Sequence, residues 1–182
     1  MMLLNYSHRL EQLVGAWLKN CFDEFPDYHT HPEYAGMNYT MMTSATNQSL
    51  SFSDLKSLLA QREFYNVTTN NCSEYWCSDY KQMVWAASTE VGCSKCQCLF
   101  GGYFVESIAC IFQPSGDLEL ERPYNVGKSC SGCPSTYRCY RKQCYLPEGT
   151  DTTTSISVRL QVCGILGFAM FIQHFFLFFS AY

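Results

Sequence analysis

Cysteine constrains this chain more than any other residue. It occurs twelve times, at 21, 72, 77, 93, 96, 98, 110, 130, 133, 139, 144 and 163. That density fits a fold closed by disulfides in an oxidising compartment, or one built on thiolate-bound metal in a reducing one. Five Asn-x-Ser/Thr sequons, at Asn5, Asn38, Asn47, Asn66 and Asn71, accompany the cysteines and point to the secretory pathway. From Cys130 to Cys144 four cysteines crowd into a segment too short to bury a core, which reads as a small cross-linked module appended to a larger domain.

The rest of the composition sets the scale. With 47% hydrophobic residues in 182, the chain can bury one real core. A formal net charge of −4, with 12 Lys+Arg scattered rather than clustered, argues against a nucleic-acid partner, because neutralising phosphates needs a basic patch. The N-terminus MMLLNYSHRLEQLVGAW has no basic stretch followed by an apolar run and enters an amphipathic pattern at once. Either the chain given starts late or export does not apply.

Leu10, Leu13, Val14, Trp17, Leu18 and Cys21 recur at helical spacing and predict a helix from about Ser7 to Cys21, with Cys21 on its buried face. Residues 22–50 are rich in Pro, Asp, Asn, Thr and Ser and read as a long loop with one short helix. Ser53 can cap a second helix carrying Leu55, Leu58 and Leu59. A third helix is expected from Asp79, with Tyr80, Met83, Val84 and Ala87 as its apolar line, and a carboxylate at a helix start is favourable to the dipole. Gly101 and Gly102 break the chain before Tyr103–Phe112, an aromatic and β-branched run that reads as a strand buried on both faces. Residues 148–157 form a Thr/Ser linker, and residues 162–182 are apolar except for Gln173 and His174, long enough to span a bilayer.

Asp79-Tyr-Lys-Gln-Met-Val-Trp-Ala-Ala-Ser-Thr-Glu-Val-Gly-Cys93 resembles the His-Tyr-Thr-Gln-x-Val-Trp…Val-Gly-Cys signature of the CAP superfamily, the cysteine-rich secretory, antigen 5 and pathogenesis-related proteins. Cys110-Ile-Phe-Gln-Pro-Ser-Gly-Asp117 resembles its second signature, Cys-x-Tyr-x-Pro-x-Gly-Asn. Gly36-Met-Asn38 stands where the family has Gly-Glu-Asn, and Glu121–Pro134 resembles the run into the family's cysteine-rich extension. The extension and apolar tail look most like the membrane-anchored, glioma pathogenesis-related-like branch. The resemblance implies an α+β fold, a three-layer α/β/α sandwich around a mainly antiparallel sheet. It divides the chain into a CAP domain at 1–128 lacking its first helix, an extension at 129–146, a linker at 147–161 and an apolar tail at 162–182. It also implies that a signal peptide and first helix precede Met1 in the complete protein.

Family members commonly place two histidines and two glutamates around a central cleft, where they can hold a divalent metal. Carried over position by position, these become Phe25, Met37, Gln61 and Asp79. One carboxylate where four ligands would stand implies a degenerate site and no cofactor. The weakest of these assignments is Phe25, because His29 and His31 lie nearby. The family context favours disulfides over zinc knuckles at Cys93-x-x-Cys96-x-Cys98 and Cys130-x-x-Cys133, so all of Cys21, Cys72, Cys77, Cys93, Cys96, Cys98, Cys110, Cys130, Cys133, Cys139 and Cys144 are disulfide candidates. Cys93, Cys98 and Cys110 are expected near one another around the sheet. Eleven cysteines precede the tail, an odd number that leaves one unpaired unless a preceding segment supplies a partner. Asn38 matches a family position that is normally structural, so Asn47 and Asn66 are the better glycosylation candidates.

Hydrolysis would need a base. His174 is in the tail and His8 on an exposed helix side, which leaves His29 and His31, and there is no Gly-x-Ser-x-Gly elbow. The expectation is a non-enzymatic extracellular or cell-surface protein that binds a protein partner or a lipid and meets the membrane through its tail. The alternative is a metal-dependent binder or hydrolase using His29 or His31 with Asp79 in a rearranged cleft. Small residues and a polar spacer before the apolar run fit a lipid-anchor signal, and Arg159 before that run with no basic residue after it disfavours a single-pass helix with an external domain.

Overall fold

Alternation along one long hairpin explains the layering. The computed structural model describes residues 1–21, 24–45, 49–73, 77–147 and a short strand at 160–162. In chain order these form β1 (Asn5–Tyr6), α1 (His8–Lys19), a 3₁₀ turn (Pro32–Tyr34), β2 (Asn38–Ser44), a 3₁₀ segment (Phe52–Phe64), β3 (Tyr65–Asn66), β4 (Asn71–Cys72), α2 (Ser78–Met83), β5 (Glu90–Phe100), β6 (Tyr103–Gln113), β7 (Arg138–Tyr140), β8 (Gln143–Tyr145) and β9 (Leu160–Val162). The main sheet runs β1-β5-β6-β2, with β9 also pairing β5. β5–β6 and β6–β2 are antiparallel, while β1 and β9 run parallel to β5.

Successive strand side chains point to opposite faces. Ala109 and Ile111 of β6 therefore meet Leu10, Val14, Trp17 and Leu18 of α1, together with Cys96 and Cys98 of β5. Ile108, Cys110 and Phe112 point the other way, onto Leu55 of the 3₁₀ segment and Met83 of α2. Helical elements thus cover both faces of the sheet, the α/β/α arrangement. The four α1 residues are at most 3% exposed, and burial of each contributes about 2 kcal/mol.

α1 comes so close to β5 that only glycine fits beneath it. A Cβ at Gly92 would lie 2.3 Å from the Glu11 nitrogen and 2.6 Å from the Leu10 carbonyl carbon. Gly92→Ala must push helix from sheet, and we expect thermal unfolding to show a loss of about 3 kcal/mol.

Several expected boundaries move. α1 ends at Lys19, and Cys21 lies past it with a left-handed φ of 53°. The loop expected at 22–50 contains β2, whose pairing with β6 overrides its polar composition. The 3₁₀ segment is capped by Ser51 rather than Ser53, in a reciprocal box with Asp54, and Leu59 is exposed. α2 is six residues long, ending at Met83, so Val84 and Ala87 of the expected apolar line lie beyond it. Tyr80, Lys81 and Gln82 are all buried, so the short helix is enclosed rather than amphipathic, and Ala87 is exposed. The start of β6, expected buried on both faces, is exposed at Tyr103 and Phe104.

The disulfides are Cys21–Cys98, Cys72–Cys77, Cys93–Cys110, Cys130–Cys139 and Cys133–Cys144. Cys93 and Cys110 are direct partners across the β5–β6 ladder. Cys96 is disulfide-bonded as well, so none of the eleven cysteines among the described residues is free. The odd count had set aside Cys163, which lies outside the described residues. The β7–β8 hairpin holds the last two bridges and docks on the N-terminus, where Leu3 N–H donates to the Cys144 carbonyl and Cys144 N–H to that of Met1. Asn66 is exposed, with its side-chain oxygen accepting from the Thr68 and Thr69 N–H groups. Asn47, most of the linker and the apolar tail lie outside the described residues.

Candidate functional site

Asp79 is the second residue of α2, a helix whose own N-cap position, Cys77, contributes no side-chain hydrogen bond. The cap comes from the 3₁₀ segment. Gln61 Oε1 accepts from the Tyr80 N–H at 3.1 Å, and Gln61 Nε2 donates to Asp79 Oδ2 at 2.9 Å. The amide thus satisfies an orphan helix donor with one end and the carboxylate with the other. The Cys72–Cys77 bridge pins the chain just before the helix.

Burial pushes the Asp79 carboxyl above its ordinary 3.8, and hydrogen bonds from Gln61 and from the Met41 backbone N–H oppose that rise. Its acceptors are therefore held by neutral donors, and among the described residues no cation forms an ion pair with it. Tyr39 stands close enough that burial, and then the Asp79 charge, raise its phenol.

Phe25 is in the aromatic cluster on the α1 side. It stacks on Tyr39 with ring centroids 4.8 Å apart and meets Trp17 and Tyr34 edge-on at 5.2 and 5.5 Å. Met37 packs against the same core. His29 and His31 do not replace Phe25. His29 lies against Tyr28, its backbone N–H donating to Asp27 Oδ1, and His31 faces Glu33 at 3.9 Å. Among the described residues no three of His, Cys, Asp and Glu are grouped to hold a metal ion.

The divalent metal that family members commonly hold in this cleft therefore does not fit these residues. An apolar ring and a thioether occupy two positions, and the single carboxylate is engaged by an amide from a third. Gln61→Glu tests this arrangement. It sets two carboxylates where one amide bond was, so one must stay protonated. Wild-type Asp79, with its folded value raised, gives a contribution fully present below 3.8 and lost as pH rises through the folded value. The variant enlarges that trend, and urea unfolding should show it about 2 kcal/mol weaker than wild type at neutral pH and nearly equal in acid.

Beside the cluster, a groove of about 740 Å³ opens between the end of α1 and residues 24–34. Trp17, Phe25 and Tyr34 line its inner wall, and Glu24, Asp27, Glu33 and His31 line its mouth. Sequence reasoning named Phe25 and His31 but missed the groove, because its acidic rim is assembled by the turn at 27–31. The capping role of Gln61 was missed too, since it joins elements 18 residues apart. A Gln ahead of an uncapped helix is no signal by itself.

The sequence model of the cysteine-rich secretory protein family, CAP, matches residues 1–112. Glioma pathogenesis-related protein 1 of Mus musculus is 27% identical over 161 residues, 87% of this chain and 61% of that protein. GLIPR1-like protein 1 of Homo sapiens is 29% identical over 145 residues, 76% of this chain and 60% of that protein. The chain thus spans about three fifths of the length of these two relatives. Venom allergen-like protein 4 of Schistosoma mansoni superposes with a TM-score of 0.52 over 70% of this chain and 76% of that one, at 22% identity, a likeness of fold alone. With the match covering most of the sandwich and the same layers found in a solved structure, the chain belongs to the cysteine-rich secretory protein family, CAP, and is similar to its glioma pathogenesis-related members.

Proposed function

We propose that this chain is a non-catalytic extracellular binding module, held at a membrane through its apolar segment at 162–182, that engages a protein partner without metal. The hydrogen bond from Gln61 to Asp79 carries the reading, because it commits the remaining cleft carboxylate to structure. Neither histidine of the loop is paired with that carboxylate, so the cleft supports no general base beside a nucleophile. Binding then falls to the groove. Its exposed rim of Glu24, Asp27 and Glu33 suits a lysine or arginine side chain presented by the partner, through ionic contact.

Disulfide chemistry makes the compartment testable. Peptide mapping of the native protein without reduction should recover Cys21–Cys98, Cys72–Cys77 and Cys93–Cys110 as linked peptides, from a membrane fraction whose globular part is cut by trypsin added outside intact cells. Free thiols at these positions in a cytosolic fraction would overturn the reading.

A further inference from the structure

The tip of the β5–β6 hairpin is bare and apolar on both sides. Leu99 pairs with Phe104 and Phe100 with Tyr103, and cross-strand partners share a face, so one pair points to each side of the ribbon. All four are exposed, at 57, 49, 47 and 74%. Gly101 and Gly102, with φ of 56° and 86°, close the turn tightly enough to keep both pairs at its end. β2 pairs with β6 only as far as Ser44 opposite Glu106, so these two rungs project past the sheet. No charged residue occurs from Gln97 to Val105.

We propose that this tip is a wedge that inserts into the interfacial layer of a neutral phospholipid bilayer. A flat protein partner, or a second copy adding along one face, would cover one pair and leave the other in water. A medium that surrounds the wedge covers both. Two rungs and the turn reach about 7–10 Å, which matches the depth at which apolar side chains enter the headgroup and acyl boundary. Backbone groups on the free edges still need water, which keeps the tip out of the hydrocarbon centre. Tyr103 suits that layer, with an apolar ring and a polar hydroxyl. The net charge of −4 and the uncharged tip favour neutral over anionic lipid.

A second observation puts the start of the apolar sequence near this end. β9 runs parallel to β5 with Leu160 opposite Lys95 and Val162 opposite Gln97, so its C-terminal end, Val162, is the end nearer Phe100. The apolar sequence 162–182 follows from that point, about 10 Å short of the tip. The proposal rests on the membrane-held reading above, and its test separates the two.

The full chain carrying Tyr103→Trp is mixed with phosphatidylcholine vesicles, with and without bromine on the acyl chains, and the wild-type signal of its native tryptophans is subtracted. The added emission should shift to the blue on vesicles and fall about twofold with brominated lipid, as for a ring at the interface. If the protein floats with vesicles while the added emission stays as in water, the tip proposal fails and the membrane-held reading stands. A shift to the blue in buffer without lipid, showing that protein covers the tip, would also overturn it. Failure to float with vesicles would overturn both.

Discussion

Replacing Cys21 and Cys98 together by alanine should lower the unfolding free energy by about 4 kcal/mol. The bridge closes a separation of 77 residues, and the entropy removed from an unfolded chain by a loop of that length corresponds to about 4.5 kcal/mol. The Cys72–Cys77 bridge inside the loop shortens it slightly. Its position adds a structural consequence. Cys21 follows α1 directly, and Cys98 lies in the core beneath that helix, 3% exposed, so the bridge fastens the end of α1 to β5. Alanine leaves no polar atom in the core, which keeps the comparison clean. Urea unfolding of the double variant beside wild type measures the loss; equal midpoints would show that core packing alone holds α1 down.

Glu106→Ala should cost nearly as much, about 3–5 kcal/mol, because it strands a buried cation. Glu106 lies 2.7 Å from the Lys95 ammonium, with the two side chains 11 and 9% exposed. Lys95 also donates to the Ser49 hydroxyl at 2.9 Å and to the Leu50 carbonyl, while the Leu50 N–H and the Ser49 hydroxyl donate to Glu106. The pair thus ties residues 49 and 50 to the sheet. Burial pushes the Glu106 carboxyl up, but hydrogen bonds from Lys95 and Leu50 and the lysine charge outweigh it and hold it below its ordinary 4.5. A lowered folded value gives stability that is present above 4.5 and is lost as pH falls through the folded value. Glu106→Ala should therefore lose its disadvantage in acid. Replacing both partners, Lys95→Met with Glu106→Leu, should restore much of the loss, since an apolar pair carries no desolvation cost. A double variant as weak as Glu106→Ala would show that the hydrogen bonds to Ser49 and Leu50, rather than the stranded charge, account for the loss.

The parts of this fold legible in the sequence were those with one-sided patterns. Leu10, Val14, Trp17 and Leu18 mark α1 because only one face is buried. β5 was hidden because Glu90–Phe100 alternates serine, lysine and cysteine rather than aliphatic residues, and its Cys93, Cys96 and Cys98 spacing reads equally as a thiol motif. β2 was hidden because pairing with β6, rather than composition, makes Asn38–Ser44 a strand. α2 read too long because Val84 and Ala87 continue its apolar spacing, whereas the close approach of Gly92 to α1 requires the chain to be extended by then.

In the site, resemblance pointed to Phe25, Met37, Gln61 and Asp79, but the contacts these residues make depend on partners distant in sequence. Gln61 matters because its amide reaches both Asp79 and the Tyr80 N–H, and Phe25 because Tyr39 stacks on it. None of these contacts has a local signature. The Lys95–Glu106 pair was missed for the same reason, since its meaning lies in the two backbone groups of Leu50 that it holds.

The most direct measurement is the titration of the Asp79 carboxyl by carbon-detected NMR, in the presence and absence of one equivalent of zinc. We expect a midpoint above 3.8, from burial, moving together with the Gln61 side-chain amide resonances and unchanged by zinc. A midpoint driven well below that value by stoichiometric zinc, with the Gln61 amide released, would show a working metal site and contradict that expectation.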